Sequence, residues 1–445
     1  MKRLWLPPLL FSVRLPTMLA MFWRSRIHSP TVSGPGRKEP DSFIVFRLDS
    51  LGDVVMTTPL FRALKQGHPR SRCTVVVQRS YKSLLATNPH IDEILTLPII
   101  RPAWLPRGPK RLIASLLFYW TKLRKRHFAI AISPRWDVDE DLATFLCLLT
   151  NATTRVGYSE RATAAKQEIN RGFDRAYSLC LPPGPVQHEV LRNLAVAEAL
   201  GATACDSGLE IHLTERDRRR AARLLAKVPG TAKAIALGIG AQSPGRRWPL
   251  QRYAETIHRL RQVTRAWPVI VCSESEFGDA LELARLLRCA PVIVSGARLR
   301  DVCAVLERCE VFIGNDSGCA HLAAAMRCKT IVVSRHPRNG NRNHFNSPVR
   351  FAPLGRQVYV LQPAAGLDAC REACCSPKPH CITAVSVDEV AAAAQVMLGE
   401  TRDTIKPFAT KSSDRTSHIL LQVHSTVALR QAVEELHVKG ARPLA

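Results

Sequence analysis

Acidic residues are scarce in this chain of 445, where 37 Asp and Glu stand against 63 Lys and Arg and leave a formal net charge of +26. An excess of that size points to polyanionic company: nucleic acid, an anionic membrane surface, or phosphorylated small molecules and glycolipids. Aromatic residues are also few, at 6%. No aromatic-rich RNA platform or recognised DNA-binding motif is present, so nucleic acid is not an expected partner. An uninterrupted apolar run of about 20 residues, the requirement for spanning a bilayer, is missing. The N-terminal MKRLWLPPLLFSVRLPTMLAMFWRSR comes nearest, but Pro7, Pro8, Arg14 and Pro16 break its apolar middle and no clean small-residue cleavage site follows. Two readings stay open for it: a disordered extension, or an interfacial anchor with Trp5, Phe11, Phe22 and Trp23 on lipid and Arg24 and Arg26 at the headgroups.

The 14 cysteines form no secreted disulfide framework. Several sit inside apolar runs such as Val269 to Ser273, the pattern of reduced, buried thiols in a cytosolic enzyme. Only CREACCSPKPHC, Cys370 to Cys381, resembles a ligand set. Its spacing matches no standard zinc pattern, and packing is the expected role.

What is present is a hydrophobic content of 46%, enough for two ordinary domains with their own cores. After a Pro/Gly linker from Ser29 to Pro40, short apolar runs alternate with helix-length amphipathic segments, the mark of βαβ units and a parallel sheet. Strands are expected at Phe43 to Leu48, Cys73 to Gln78, Glu93 to Leu97 and Phe128 to Ser133. A break near Cys205 to Gly230 precedes a second series at Lys233 to Ile239, Pro268 to Cys272, Pro291 to Val294, Val311 to Gly314 and Thr330 to Val333. The expected organisation is an extension (1–40), two doubly wound domains (41–215 and 216–400) facing a central cleft, and a polar tail (401–445) in which Ser425 to Val438 could form a helix. Arg101 to His127 carries eight Lys or Arg and no acid, with Leu, Phe and Trp largely on one helical face, and reads as a surface for phosphorylated lipid or membrane headgroups.

Chemistry is expected where strands end and helices begin, because ligands of open α/β sheets collect there. In RLDSLGDVV, Gly52 permits a tight turn and Asp53 falls at the start of a helix; with Asp49 close by, there are more carboxylates than capping needs. In LGIGAQSPGRRWPLQRYAETI, a Gly-rich loop (Gly240, Ala241, Gln242, Ser243) leads to Arg246, Arg247 and a helix opened by Pro249, the parts of a phosphate site. In VFIGNDSGCAHLAAAM, Asp316, Ser317 and Gly318 offer amides and a hydroxyl at another helix start, with His321 one turn in and not expected to be the base.

SLGDVV, SPGRRWPLQRYAE and IGNDSGCAHLAAA, in that order and spacing, resemble glycosyltransferase family 9, the heptosyltransferases of the lipopolysaccharide inner core. The likeness runs from about Ser42 to Leu398 and includes HFAIAISPRW, RVGYSE and HEVLRNLAVAEALG. It implies an α/β fold of GT-B type and an inverting transfer with no catalytic metal or other cofactor. The implied donor is ADP-heptose or another nucleotide sugar, and the implied acceptor a phosphorylated glycolipid at the inner face of the cytoplasmic membrane. Asp53 matches the family's general base, and a closed, partly apolar cleft is expected to raise its pKa, with Asp49 tuning or sharing its role. Arg246 stands where the family has Lys and would neutralise the departing diphosphate. Asp316, Ser317 and Gly318 match Asp-Thr-Gly, and Glu276 is a ribose candidate. On the acceptor side the matching residues are Gly52, Arg135, Trp136, His188 and Arg192.

Two stretches depart from the family: Ser334-Arg335-His336-Pro337 replaces a Gly-Pro turn, and PRWDVDED (Pro134 to Asp141) is unlike the usual acceptor loop. The Asp137/Asp139 pair in the latter resembles a metal-binding DxD, but capping is the expected use. A related transferase with another donor for another surface polysaccharide, and a non-catalytic polyanion-binding protein, are the competing readings.

Overall fold

The computed structural model describes residues 16–19, 40–101, 104–203, 206–373, 376 and 378–399. The expected tail, and the extension apart from residues 16–19 and 40, lie outside them. The chain divides into two units, Met1–Ser207 and Gly208–Ala445.

The first unit carries β1 (Ser42–Arg47), β2 (Arg72–Val77), β3 (Glu93–Thr96), β4 (Ile130–Ser133), β5 (Thr154–Tyr158) and β6 (Leu179–Leu181). The second carries β7 (Lys233–Gly238), β8 (Ala266–Cys272), β9 (Val292–Ser295), β10 (Val311–Asn315), β11 (Lys329–Val333) and β12 (Val358–Leu361). Sheet orders are β3-β2-β1-β4-β5-β6 and β12-β11-β10-β7-β8-β9, with every neighbouring pair parallel. This α/β architecture is the expected one, because strands covered by helices on both faces must be apolar throughout. Nine of the strands fall where the apolar runs place them; β5, β6 and β12 are additional.

Helices used below are α1 (Leu51–Met56), α2 (Arg107–Phe118), α3 (Glu189–Ala199), α4 (Leu250–Val263), α5 (Gly318–Ala325), α6 (Asp368–Ala373) and α7 (Val387–Leu398). In the first unit Ile44, Phe46, Val76 and Ala131 pack with Phe118, Leu123 and Leu146. In the second, Ile235, Leu237, Ile270, Ile313 and Ile331 pack with Tyr253, Ile257, Leu260, Val390 and Met397. Each such fully buried aliphatic side chain contributes about 1.5–3 kcal/mol.

In each sheet the strand order reverses at one place, between β1 and β4 and between β10 and β7. There, successive connections leave towards opposite faces and open a crevice at the strands' carboxyl ends. Asp49 and Asp53 follow β1 and Arg135 follows β4, while Arg246 follows β7 and Asp316 follows β10. The charged residues singled out by motif therefore gather at the two switch points.

Helix α2 differs from a simple one-faced amphipath. Phe118 and Ala114 are buried, whereas Leu116, Leu117 and the following Trp120 are exposed, and Trp104 ahead of it is 82% exposed. Among the described residues no helix is long and apolar enough to cross a membrane.

Candidate active site

Arg47, the last residue of β1, is fully buried, and its placement decides the chemistry of the first switch point. One terminal nitrogen lies 3.0 Å from Asp49 Oδ2 and the other 3.6 Å from Asp53 Oδ1, while Nε donates to the Asp53 carbonyl at 3.2 Å. Arg135 Nη1 approaches from β4, 3.4 Å from Asp49 and 3.6 Å from Asp53. Two carboxylates and two guanidinium groups thus share one site in a place poor in water.

The two acids titrate in opposite directions. Burial is the strongest influence on Asp49 and raises its carboxyl above the ordinary range, against the pull of Arg135 and Arg47. Burial acts on Asp53 in the same sense, but Arg135, Arg47 and hydrogen bonds from Ser50 outweigh it and hold Asp53 below that range. The expectation of a raised Asp53 is corrected: its Oδ2 receives both the Ser50 N–H (3.2 Å) and O–H (2.7 Å), which stabilise the anion. Asp53 is at once a capping residue of α1 and a site carboxylate. Gly52 lies inside the first turn of α1, so it is helical and not the hinge of a preceding turn.

The remaining acceptor-side residues separate. Arg192 has no exposed surface; its guanidinium donates to the Pro183 and Pro185 carbonyls and stacks 3.7 Å over Trp136. Trp136 is likewise buried and donates to Pro183 O at 2.7 Å. His188 accepts the Val190 N–H at the start of α3. Burial makes Trp136 and Arg192 braces of the loop bearing Arg135 rather than surfaces for a ligand. Asp139 uses both oxygens on the amides of Asp141, Ala143 and Thr144 and on the Thr144 hydroxyl, which is the capping role expected of it.

The second switch point is built from three loops. Arg246 Nη2 donates to the Asp316 carbonyl (2.7 Å) and carboxylate (2.9 Å), and Arg246 Nε is buried without an acceptor. Ser317 is the N-cap of α5, and its Oγ is buried with no hydrogen-bond partner. An unbonded hydroxyl, a guanidinium and the free amides of a helix N-terminus form a ready anion site. His321 is buried within α5. Arg247 donates to Asp279 (2.9 Å) and Glu276 (3.4 Å). Glu276 also accepts from Ser273 and presses on Gly240, where an added Cβ would stand 2.4 Å from its Oε1. Gln242 is exposed and Ser243 half-buried.

Besides Arg47, three contributors to the site stand outside the residues singled out by motif. Asn315 is fully buried and ties β10 to the loop after β7: Oδ1 accepts from Trp248 N (2.8 Å) and Tyr253 O–H (3.1 Å), and Nδ2 donates to Ile239 O (2.8 Å) and Gly240 O (3.4 Å). Arg335 and His336 belong to the segment that departs from the family. Arg335 Nη1 is 3.4 Å from where a Gly245 Cβ would stand, and the lowered His336 pKa, caused by burial, responds to the charges of Asp316 and Arg335. The Asn315 within IGNDSG was the available signal; Arg335 offered none.

The family model for glycosyltransferase family 9 (heptosyltransferase) matches residues 120–378, more than half of the chain. The chain belongs to glycosyltransferase family 9. As a family 9 glycosyltransferase it is similar to lipopolysaccharide heptosyltransferase 3 of Escherichia coli K12, with 23% identity over 64% of this chain and 78% of that one. It also resembles lipopolysaccharide heptosyltransferase 1 of Pseudomonas aeruginosa, with 24% identity over 80% and 97%. The fold is shared with a family 9 glycosyl transferase from Veillonella parvula (TM-score 0.65, 20% identity, 81% of this chain and 98% of that one). Escherichia coli ADP-heptose lipopolysaccharide heptosyltransferase II has it too (TM-score 0.59, 16% identity, 81% and 99%).

Proposed function

We propose that this family 9 enzyme transfers a heptose, or a closely related sugar, from ADP-heptose to a phosphorylated lipopolysaccharide core-type acceptor with inversion. The acceptor hydroxyl oxygen attacks the anomeric carbon, the bond from that carbon to the diphosphate breaks, and the nucleoside diphosphate leaves with the bonding electrons. Asp53 takes the hydroxyl proton. Its low pKa keeps it ionised and ready at neutral pH, and the hydroxyl becomes acidic enough to surrender its proton as its oxygen bonds to carbon. Asp49 sets the local charge, and Arg135 neutralises the pair beside the acceptor.

Arg246, Ser317 and the amides at the start of α5 hold the charge that develops on the leaving diphosphate, an electrostatic role that needs no metal at that position. Glu276 receives the ribose and Arg247 the phosphates. The observation that carries this reading is the Arg246–Asp316 pair beside the unbonded Ser317 hydroxyl at the second switch point. The names of the similar proteins support the choice of heptose, ADP and lipopolysaccharide.

The enzyme works as a peripheral protein at the inner face of the cytoplasmic membrane. Exposed Trp104, Leu116, Leu117 and Trp120, with the surrounding Lys and Arg and no acid between Arg101 and His127, support docking on anionic lipid. Incubation of purified protein with a truncated core acceptor and ADP-, UDP- and GDP-sugars tests the proposal. Turnover is expected with ADP-heptose; turnover only with a UDP- or GDP-sugar, or with none, overturns the donor assignment.

A further inference from the structure

Cys370, His380 and Cys381 are eleven residues apart at most in sequence, and the fold brings one ligand atom of each within 4.8 Å of the others. Cys370 lies in α6, His380 caps the short helix Cys381–Ala384, and both thiols are buried while the imidazole is half-buried. Cys370 Sγ is 3.7 Å from His380 Nε2, and His380 Nδ1 is 3.0 Å from Cys381 Sγ. Two thiols and an imidazole are soft and borderline donors of the kind that bind zinc-class ions. With metal–sulfur bonds of about 2.3 Å and metal–nitrogen bonds of about 2.0–2.1 Å, ligand atoms around a tetrahedral ion stand about 3.5–3.9 Å apart. The widest pair here would need to close by about an ångström. Sequence spacing alone favours packing for this cluster; its three-dimensional grouping favours a ligand set.

We infer that Cys370, His380 and Cys381 bind a zinc-class divalent cation that fastens the 370–385 segment against the phosphate loop. Binding converts each thiol to a thiolate, releases one proton from each to solvent, and changes no oxidation state. His380 Nδ1 accepts the Cys381 N–H at 2.7 Å, so an ion at Nδ1 displaces that hydrogen bond, and an ion at Nε2 requires the Nδ1-protonated tautomer and loss of the same bond. Cys374 and Cys375 adjoin the set in sequence and lie outside the described residues.

The site has a structural purpose within reach of the donor loop. A Cβ on Gly245 would stand 2.4 Å from Ser376 O, so the segment between the ligands lies directly on the loop that bears Arg246. Beyond the ligands, Val385 O accepts from Trp248 Nε1 (3.1 Å) and Arg252 Nη1 (2.7 Å), which fixes the same segment to the start of α4. An ion joining Cys370 to His380 and Cys381 closes the loop that contains the first anchor point and ends four residues before the second. The three residues are positioning residues: none meets a reacting atom.

The test uses the full chain, purified with reductant and stripped by chelator, titrated with Co²⁺ alone and in parallel with Zn²⁺. About one equivalent of either is expected, and the cobalt form should show thiolate charge-transfer and tetrahedral visible bands. Cys370→Ser and His380→Ala, checked for folding by circular dichroism, should abolish the bands. The half-buried His380 supplies a variant that leaves both thiols in place if the serine variant fails to fold. Metal removal should also raise the donor KM severalfold with kcat little changed. That readout rests on the proposed function, whereas the metal count and spectrum do not. Sub-stoichiometric metal, cobalt bands that survive both variants, or a non-reduced mass two hydrogens lower with a Cys370–Cys381 disulfide would each overturn the inference.

Discussion

Replacing Asn315 by Leu removes, in one nearly isosteric step, the amide that links β10 to the loop after β7. Two donors, Trp248 N–H and Tyr253 O–H, lose their acceptor, and the Ile239 and Gly240 carbonyls lose their donor. Tyr253 O–H retains a contact with Gly238 O at 3.3 Å, so the Trp248 amide carries most of the penalty. A buried polar group left unpaired costs about 1–3 kcal/mol, and loss of the remaining neutral bonds adds about 0.5–1.5 kcal/mol each. The sum is about 2.5–7.5 kcal/mol and falls towards its lower end, because Tyr253 keeps a partner and the Gly240 contact is long. In a unit of this size each kcal/mol moves Tm by about 2–4 °C, so a fall of about 10 °C is expected for the second unit's transition by scanning calorimetry. Asn315→Asp keeps the acceptor but turns a carboxyl oxygen towards the Ile239 and Gly240 carbonyls, so it should also destabilise, and more at pH 8 than at pH 5, where the carboxyl more readily holds a proton to donate. ADP affinity, read by titration calorimetry below the transition, should weaken about tenfold in the Leu variant as the loop loosens. A Leu variant that melts within 2 °C of wild type and binds ADP equally would refute the reasoning.

Arg246→Ala should lower kcat/KM about 100-fold, the loss of about 3 kcal/mol of leaving-group stabilisation, while Arg246→Lys stays within about tenfold; equal losses would remove the charge argument. Asp141 tests the electrostatics of the first unit. Burial, reinforced by Asp49 and Asp139 and opposed by Arg111, pushes its carboxyl up to about 7. Because the folded form holds this proton more tightly than the unfolded chain, the associated stability is fully present below about pH 4 and is lost as pH rises towards 7. Uncharged Asp141→Asn should therefore show a shallower fall in Tm between pH 5 and 8 than wild type, and parallel slopes reject the shift. On vesicles containing anionic lipid, Trp104→Ser/Trp120→Ser should reduce co-sedimentation severalfold, with little effect on transfer to a water-soluble acceptor; unchanged sedimentation removes this surface from the membrane.

The layout of the fold was legible because parallel strands with both faces covered must read as apolar runs, as FIVFRL, TVVV and KAIALGI do. β5 escaped because Arg155 and Gly157 break its apolar pattern and β6 because it has only three residues; the pairing of these two, and of β12, comes from the neighbouring strand. At the site, the loops were legible from local chemistry: Ser50, Gly240 and Ser317 are residues that end strands and start helices. The sign of the Asp53 shift was not. It depends on Arg135, on the Ser50 hydrogen bonds and on Arg47, which ends an apolar strand and looks from sequence like its solvent-facing terminus but is buried against both acids. Similarly, Arg192 has the composition of an anion ligand and the position of a core residue, because Trp136 and two proline carbonyls close over it.

The measurement closest to the central claim is single-turnover transfer from ADP-heptose by Asp53→Asn beside Asp49→Asn, with ADP binding and melting followed in the same samples. If Asp53 is the proton acceptor, its amide variant loses about 10²–10⁴-fold in the chemical step while nucleotide affinity is retained, and Asp49→Asn loses far less. An Asp53→Asn enzyme that turns over within tenfold of wild type, or a larger loss at Asp49, would contradict the account.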